Sequence, residues 1–174
     1  MAKIIYKEGL EGQNKLENIE GIEIELLNGQ KALIYPQYAE RPLLKSEQIG
    51  KWDAREETEI EALKVEDTNG KTGALLRLGS PAAEWVSQFW SDKHSIFCLP
   101  SLLAALEIQH QKNEIDELAQ TIEGADLLRD FTSDVWSCSR CSRRNGWIAD
   151  GGYGLAVNNY LYGSILAVPV VLYR

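Results

Sequence analysis

The spacing of apolar residues changes character along this chain. In "GIEIELLNGQKALIYPQ", residues 21–37, Ile22, Ile24 and Leu26 alternate with Glu23 and Glu25, and Leu33 and Tyr35 continue the pattern beyond Asn28 and Gly29. A period of two on both sides of an Asn-Gly pair predicts a β-hairpin, with Asn28 and Gly29 supplying the positive φ angles of a tight turn. Residues 40–72 are rich in Glu, Lys and Asp, and "EDTNGKTG", residues 66–73, has the composition of a turn around Asn69-Gly70.

The period then lengthens. In "GSPAAEWVSQFW" the residues Ala82, Trp85, Val86 and Phe89 fall on one helical face, with Ser80 placed to cap and Pro81 at the first helical position. A second helical stretch runs from "LPSLLAALEIQHQ" into "KNEIDELAQTIEG". Its stripe is Leu102, Leu103, Leu106 and Ile108, then Ile115, Leu118 and Ile122, and Gly124 is its expected stop. After residue 132 short apolar pieces are separated by Gly, Asn and Ser, which predicts several short strands. The expectation is one α+β domain spanning 1–174: two helices packed on short, mostly antiparallel strands, with an N-terminal hairpin.

Composition narrows the function classes. The formal net charge is −8, whereas a nucleic-acid binder needs clustered cations, so no nucleic-acid partner is expected. The charge is unevenly spread. From Cys138 onward Arg140, Arg143, Arg144 and Arg174 face a single acid, Asp150, so this segment carries +3 and the remainder −11. No apolar run has the length of a membrane span, and the first residues lack the apolar core of a secretory signal. Three cysteines fit a reducing compartment, and a cytoplasmic or virion-associated location is expected.

Candidate chemistry centres on "WSCSRCSRRNGW", residues 136–147. Cys138 and Cys141 form a C-x-x-C, which with Cys98 and His94 or His110 would make up a zinc set. Structural zinc sites usually pair two such motifs, and here there is one. A redox pair needs the motif at a helix start, and the arginines, Asn145 and Gly146 that follow are poor helix formers. The two histidines, His94 and His110, sit in no recognised catalytic spacing, and no nucleophile elbow or phosphate loop is present. Neither a catalytic centre, a metal nor a cofactor is expected. Arg140, Arg143 and Arg144 form either a solvated loop or a recognition site, and nearby Tyr153, Asn158, Asn159, Tyr160 and Tyr162 favour recognition.

An ordered series of short motifs resembles a bacterial and phage family with a C-type-lectin-like fold. Its members include C-terminal domains of collagen-like adhesins and the variable proteins of diversity-generating retroelements. The series runs "TNGKT" (68–72), "GSPAAEW" (79–85), "LPSL" (99–102), "KNEID", "VWS" (135–137), "NGW" (145–147) and "AVPVV" (167–171). Val168 stands where the family often has Arg, and no Glu-Pro-Asn or Trp-Asn-Asp calcium motif occurs.

The resemblance implies that Trp136 and Trp147 are framework and that 132–174 is a variable, ligand-binding region. Its contacts would be Ser139, Arg140, Arg143, Arg144, Asn145, Asp150, Tyr153, Asn158, Asn159, Tyr160 and Tyr162. Retroelement mutagenesis replaces template adenines, so diversified AAC or AAT codons never yield Lys, Glu, Gln, Met or Trp. Between Cys138 and Tyr173 there is no Lys, Glu, Gln or Met. The reading that follows is a non-enzymatic protein displaying a variable surface to a protein or surface polymer. Two alternatives remain open: a small zinc- or thiol-dependent protein using Cys138 and Cys141, and a prophage structural or assembly protein.

Overall fold

The computed structural model describes residues 1–131 and 134–174; positions 132 and 133 of the expected variable region lie outside the described residues. The chain begins with β1 (Lys3–Tyr6), β2 (Ile19–Glu25), β3 (Lys31–Ile34) and β4 (Ala39–Arg41). A polar stretch then carries α1 (Ser46–Ile49) and α2 (Glu59–Leu63), followed by α3 (Thr68–Arg77) and α4 (Pro81–Ser87). The small hairpin of β5 (Trp90–Ser91) and β6 (Ser95–Ile96) precedes α5 (Leu102–His110) and α6 (Lys112–Ala119). The remainder is β7 (Val135–Arg140), β8 (Asn145–Ala149), β9 (Ala156–Tyr160), β10 (Ile165–Ala167) and β11 (Val170–Tyr173). The class is α+β. Among the described residues no helix is long and apolar enough to cross a membrane.

The expected hairpin forms, with Ile22 opposite Ile34 and Ile24 opposite Ala32. Its turn differs from expectation: of the Asn-Gly pair, Gly29 alone takes a positive φ, 83°. The Gly29 N–H donates to Leu26 O (3.0 Å) and the Leu26 N–H to Gln30 O (2.8 Å), so the loop has three residues closed by a left-handed glycine.

A second correction concerns residues 66–73. The Asn69-Gly70 pair lies inside the first turn of α3, because the Asp67 carboxylate caps that helix by accepting from the Gly70 N–H (2.9 Å). A Cβ on residue 70 would fall 2.3 Å from that carboxylate, so the cap and the glycine require each other. The two anticipated helices are present. Ser80 caps α4 through the Ala83 N–H and Ser101 caps α5 through the Ala104 N–H, both at 3.1 Å, and Gln111 divides the second helical stretch into α5 and α6. Helices α1, α2 and α3 were not anticipated.

Two sheets organise the strands. The first, in order β1-β2-β3-β11, is antiparallel throughout. The second has order β4-β10-β7-β8-β9 and is antiparallel except for β10 beside β7.

The second sheet stands between two apolar cores, and its side chains divide by the alternation of a strand. Val135, Ala149 and Leu166 enter a core shared with Ile22, Ile24, Ile34, Ile108 and Ile115. Their sequence neighbours Trp136, Ile148, Ile165 and Ala167 enter the other, among Leu43, Leu75, Val86, Leu99 and Leu161. A strand covered on both faces reads as a continuous apolar run, as the closing segment does. Each fully buried aliphatic side chain contributes about 1.5–3 kcal/mol. β9 is the exception, an edge strand whose side chains are exposed or half-buried.

Candidate functional site

The β7–β8 connection and β9 hold five of the eleven expected contact residues, and Arg140 fixes the backbone of the connection. Its guanidinium lies 4.9 Å over the Trp52 ring and donates to four carbonyls. Nη1 reaches Trp52 O (2.8 Å) and Ala54 O (3.1 Å), Nε reaches Ser142 O (3.0 Å), and Nη2 reaches Arg143 O (2.9 Å). The planar fork thereby ties the 52–57 segment to the turn, helped by the Glu57 N–H donating to Arg140 O (2.8 Å). Arg140 is 7% exposed and Ser139 wholly buried, so these two, expected to contact a ligand, are enclosed by the fold. The difference has a physical source: the 52–57 segment covers the end of β7.

Both tryptophans are tied to backbone carbonyls earlier in the chain, one in β4 and one in the 52–57 segment. The Trp136 indole N–H donates to Arg41 O (2.8 Å) and that of Trp147 to Glu57 O (2.7 Å). Gly146 sits against Trp136, where a Cβ would lie 3.1 Å from the indole and 3.2 Å from Leu161.

Outside this frame Arg143 and Arg144 are exposed, and neither side chain has an ion pair among the described residues. Together with Tyr162, Ser46, Ile49 and Gly50 they line an open cleft of about 250 Å³. The Tyr162 ring stacks on Tyr160, with centroids 5.3 Å apart and planes 13° from parallel. Asn145 lies opposite Tyr160 in the ladder and its amide donates to Asn158 Oδ1 (2.7 Å). The structure thus brings Arg143, Arg144, Asn145, Asn158, Tyr160 and Tyr162 to one end of the hairpin. The segments meeting there, Lys45 to Lys51 and Arg143-Arg144, hold four cations and one acid, Glu47.

Asp150 and Tyr153 lie at the other end, separated by the five residues of β9, about 16 Å at the usual rise. The Asp150 carboxylate accepts from the Gly152 N–H (3.0 Å) and the Tyr153 N–H (3.2 Å), and these bonds hold its pKa below the usual carboxylate value. Its role is to shape the turn that presents Tyr153, which is 85% exposed. Asn159 turns inward on its own strand, its Oδ1 accepting from the Tyr160 N–H (2.7 Å).

The cysteines do not converge. All three are free, and among the described residues no three His, Cys, Asp or Glu side chains are placed to hold a metal. Burial pushes the Cys138 thiol up to about 12 and raises those of Cys98 and Cys141, the opposite of what a nucleophilic or metal-bound thiolate requires.

Sequence reasoning missed Ser46, Ile49 and Gly50, one wall of the cleft. They lie in the polar stretch 40–72, and no local pattern distinguishes them; the nearest signal is the apolar pair Leu43-Leu44, which anchors α1 against the second core. No protein-family model, no curated protein and no solved structure matches the chain.

Proposed function

We propose that the chain is a non-enzymatic binding protein that presents the β7–β8 turn and β9 to a macromolecular ligand from a C-type-lectin-like scaffold. One observation carries the reading. Of nine large apolar side chains exposed among the described residues, five are Tyr153, Leu155, Val157, Tyr160 and Tyr162, in a ten-residue stretch whose Tyr160–Tyr162 end lies beside two arginines without ion-pair partners. A soluble fold has no stabilising use for that concentration of exposed rings beside cations, whereas tyrosine and arginine supply large contact area at small entropic cost. Arg140, Trp136 and Trp147 hold the underlying backbone from inside, so the displayed residues can differ without altering the core.

The same division supports a diversified origin in a phage or prophage. The contact positions outside the core are of residue types that adenine mutagenesis reaches, and the framework tryptophans are of a type it does not.

The test is a triple variant, Arg143→Ala, Arg144→Ala and Tyr162→Ala, against ligands selected without bias from a peptide display library and a glycan array. At least one selected ligand is expected to bind the parent chain and to lose tenfold or more on the variant, with the thermal melt moved by only a few degrees. Selected ligands that bind both proteins equally would remove the display role. A reverse transcriptase gene and a near-copy of the 3′ coding region differing at adenines, in the flanking DNA, test the diversification.

A further inference from the structure

Among the described residues β9 leaves one edge of the second sheet without a neighbour. The ladder register fixes which backbone groups face outward. The Asp150 N–H donates to Leu155 O (2.8 Å) and the Leu161 N–H to Arg144 O (2.9 Å). By the alternation of an antiparallel pair, Val157 and Asn159 direct their backbone groups toward β8, while Ala156, Asn158 and Tyr160 direct theirs away. Tyr160 is already satisfied, because its N–H bonds to Asn159 Oδ1 and its carbonyl accepts from the Gly163 N–H (2.9 Å). Among the described residues the N–H and C=O of Ala156 and of Asn158 remain open, a docking length of one extended tripeptide.

Natural edge strands are protected from pairing by charge, proline or a bulge. From Gly151 to Gly163 there is no charged residue and no proline, and the β8–β9 register runs without interruption. This edge is therefore competent to accept a strand. Its chemistry at one end is specific: Arg144 is bonded across the ladder to Leu161, the residue following β9, so the arginine-lined cleft begins where the open edge stops.

We infer that the ligand of this surface is an extended acidic segment of a protein, paired along Ala156 and Asn158 and placing a carboxylate between Arg143 and Arg144 beside Tyr162. The inference rests on the binding role proposed above and names the chemistry of the partner. Charge complementarity selects the acid, since two guanidiniums without ion-pair partners face a cleft of side-chain size. The open amide groups select a polypeptide over an acidic polysaccharide, which has no backbone to complete a ladder. Elsewhere the chain is strongly negative, so the attraction is local and screened by salt.

The experiment uses the full chain and a fluorescein-labelled decapeptide of alternating threonine and glutamate, followed by fluorescence anisotropy at low salt. Three companion probes are the threonine–lysine decapeptide, the threonine–glutamate decapeptide methylated at alternate backbone nitrogens in either register, and a tetragalacturonate. Binding of the glutamate peptide is expected, with a tenfold or greater loss on methylation in one register, on the Arg143→Ala, Arg144→Ala pair, and on raising salt from 50 to about 500 mM. No binding of the lysine peptide is expected.

Glutamate-peptide affinity unchanged in both methylated registers would overturn strand pairing, and tetragalacturonate binding in place of the peptide would overturn the choice of partner. A chain that dimerises through β9 and so excludes the peptide, seen by light scattering, would also overturn it. Failure here with a non-acidic ligand selected on the same face leaves the binding role standing. Failure of both screens removes both.

Discussion

The guanidinium of Arg140 lies over the indole of Trp52 while one of its nitrogens donates to the Trp52 carbonyl, so a single side chain grips both the ring and the backbone of one residue. Replacing Arg140 with Ala strands three further carbonyls, of Ala54, Ser142 and Arg143, that accept from no other donor among the described residues. Unsatisfied buried polar groups cost about 1–3 kcal/mol each, not all additive. Arg140→Ala is expected to lower unfolding free energy by about 3–5 kcal/mol in urea titration. Arg140→Lys recovers little, because an ammonium lacks the fork. Arg143→Ala and Arg144→Ala are each expected within about 0.5 kcal/mol of the parent, as exposed side chains with no ion-pair partner among the described residues.

The pair Lys71 and Glu57 should respond very differently to the loss of one partner and to the loss of both. Lys71 Nζ lies 2.7 Å from Glu57 Oε1, Glu57 is 8% exposed, and its Oε2 has no hydrogen-bond partner among the described residues. Removing the lysine strands a buried carboxylate. Lys71→Met is expected to cost about 3–5 kcal/mol, and Lys71→Met with Glu57→Leu much less, because two apolar groups replace an ion pair at small net cost. A double-mutant cycle by chemical denaturation reads the difference; additive losses would contradict the pairing.

Acid sensitivity should trace to Glu23 in β2. Burial alone would raise its pKa, but the Tyr173 hydroxyl and Lys3, with Lys31 further off, outweigh burial and bring it below the usual carboxylate value. A group depressed in the folded state contributes stability that is full above its unfolded pKa, about 4.3, and is lost as pH falls through the folded value. Melting temperature should therefore drop below about pH 4.5. In Glu23→Gln that drop should be shallower; an unchanged acid limb would assign the sensitivity elsewhere.

Thiol chemistry offers a direct check on the C-x-x-C. With Cys138 buried and its thiol raised to about 12, a disulfide-exchange reagent at pH 8 should leave Cys138 unmodified in the native chain and modify it on unfolding. Cys141, half-buried at the end of β7, is expected to react slowly. Rapid native labelling of Cys138, read by mass spectrometry of tryptic peptides, would reopen the thiol-dependent alternative.

The parts of the fold legible in the sequence were those set by neighbours a few residues apart. The hairpin of β2 and β3, the Ser80 cap and the short closing strands all follow from local spacing. Residues 66–73 show the limit of that reasoning. Asn-Gly suits a turn or a first helical turn alike, and the Asp67 cap decides for the helix. The candidate site depended on distance along the chain. Arg140 resembled Arg143 and Arg144 until residues 86 and 88 positions earlier folded over it, and the Ser46 to Gly50 wall came from a stretch with only a charge pattern to read. An arginine's exposure is decided by what covers it, and nothing in its neighbours reports that.

The last two strands go to different sheets: β10 lies between β4 and β7, and β11, three residues on, lies against β3. Each completes a layer begun more than a hundred residues earlier. During synthesis at about 5–20 residues per second, β3 and β4 therefore wait several seconds for partners that emerge together much later. Such long-range closure is slow to nucleate. Through that interval the growing chain carries two unfinished sheets, and the cell's need to keep them apart from other chains is set by where β10 and β11 fall in the gene.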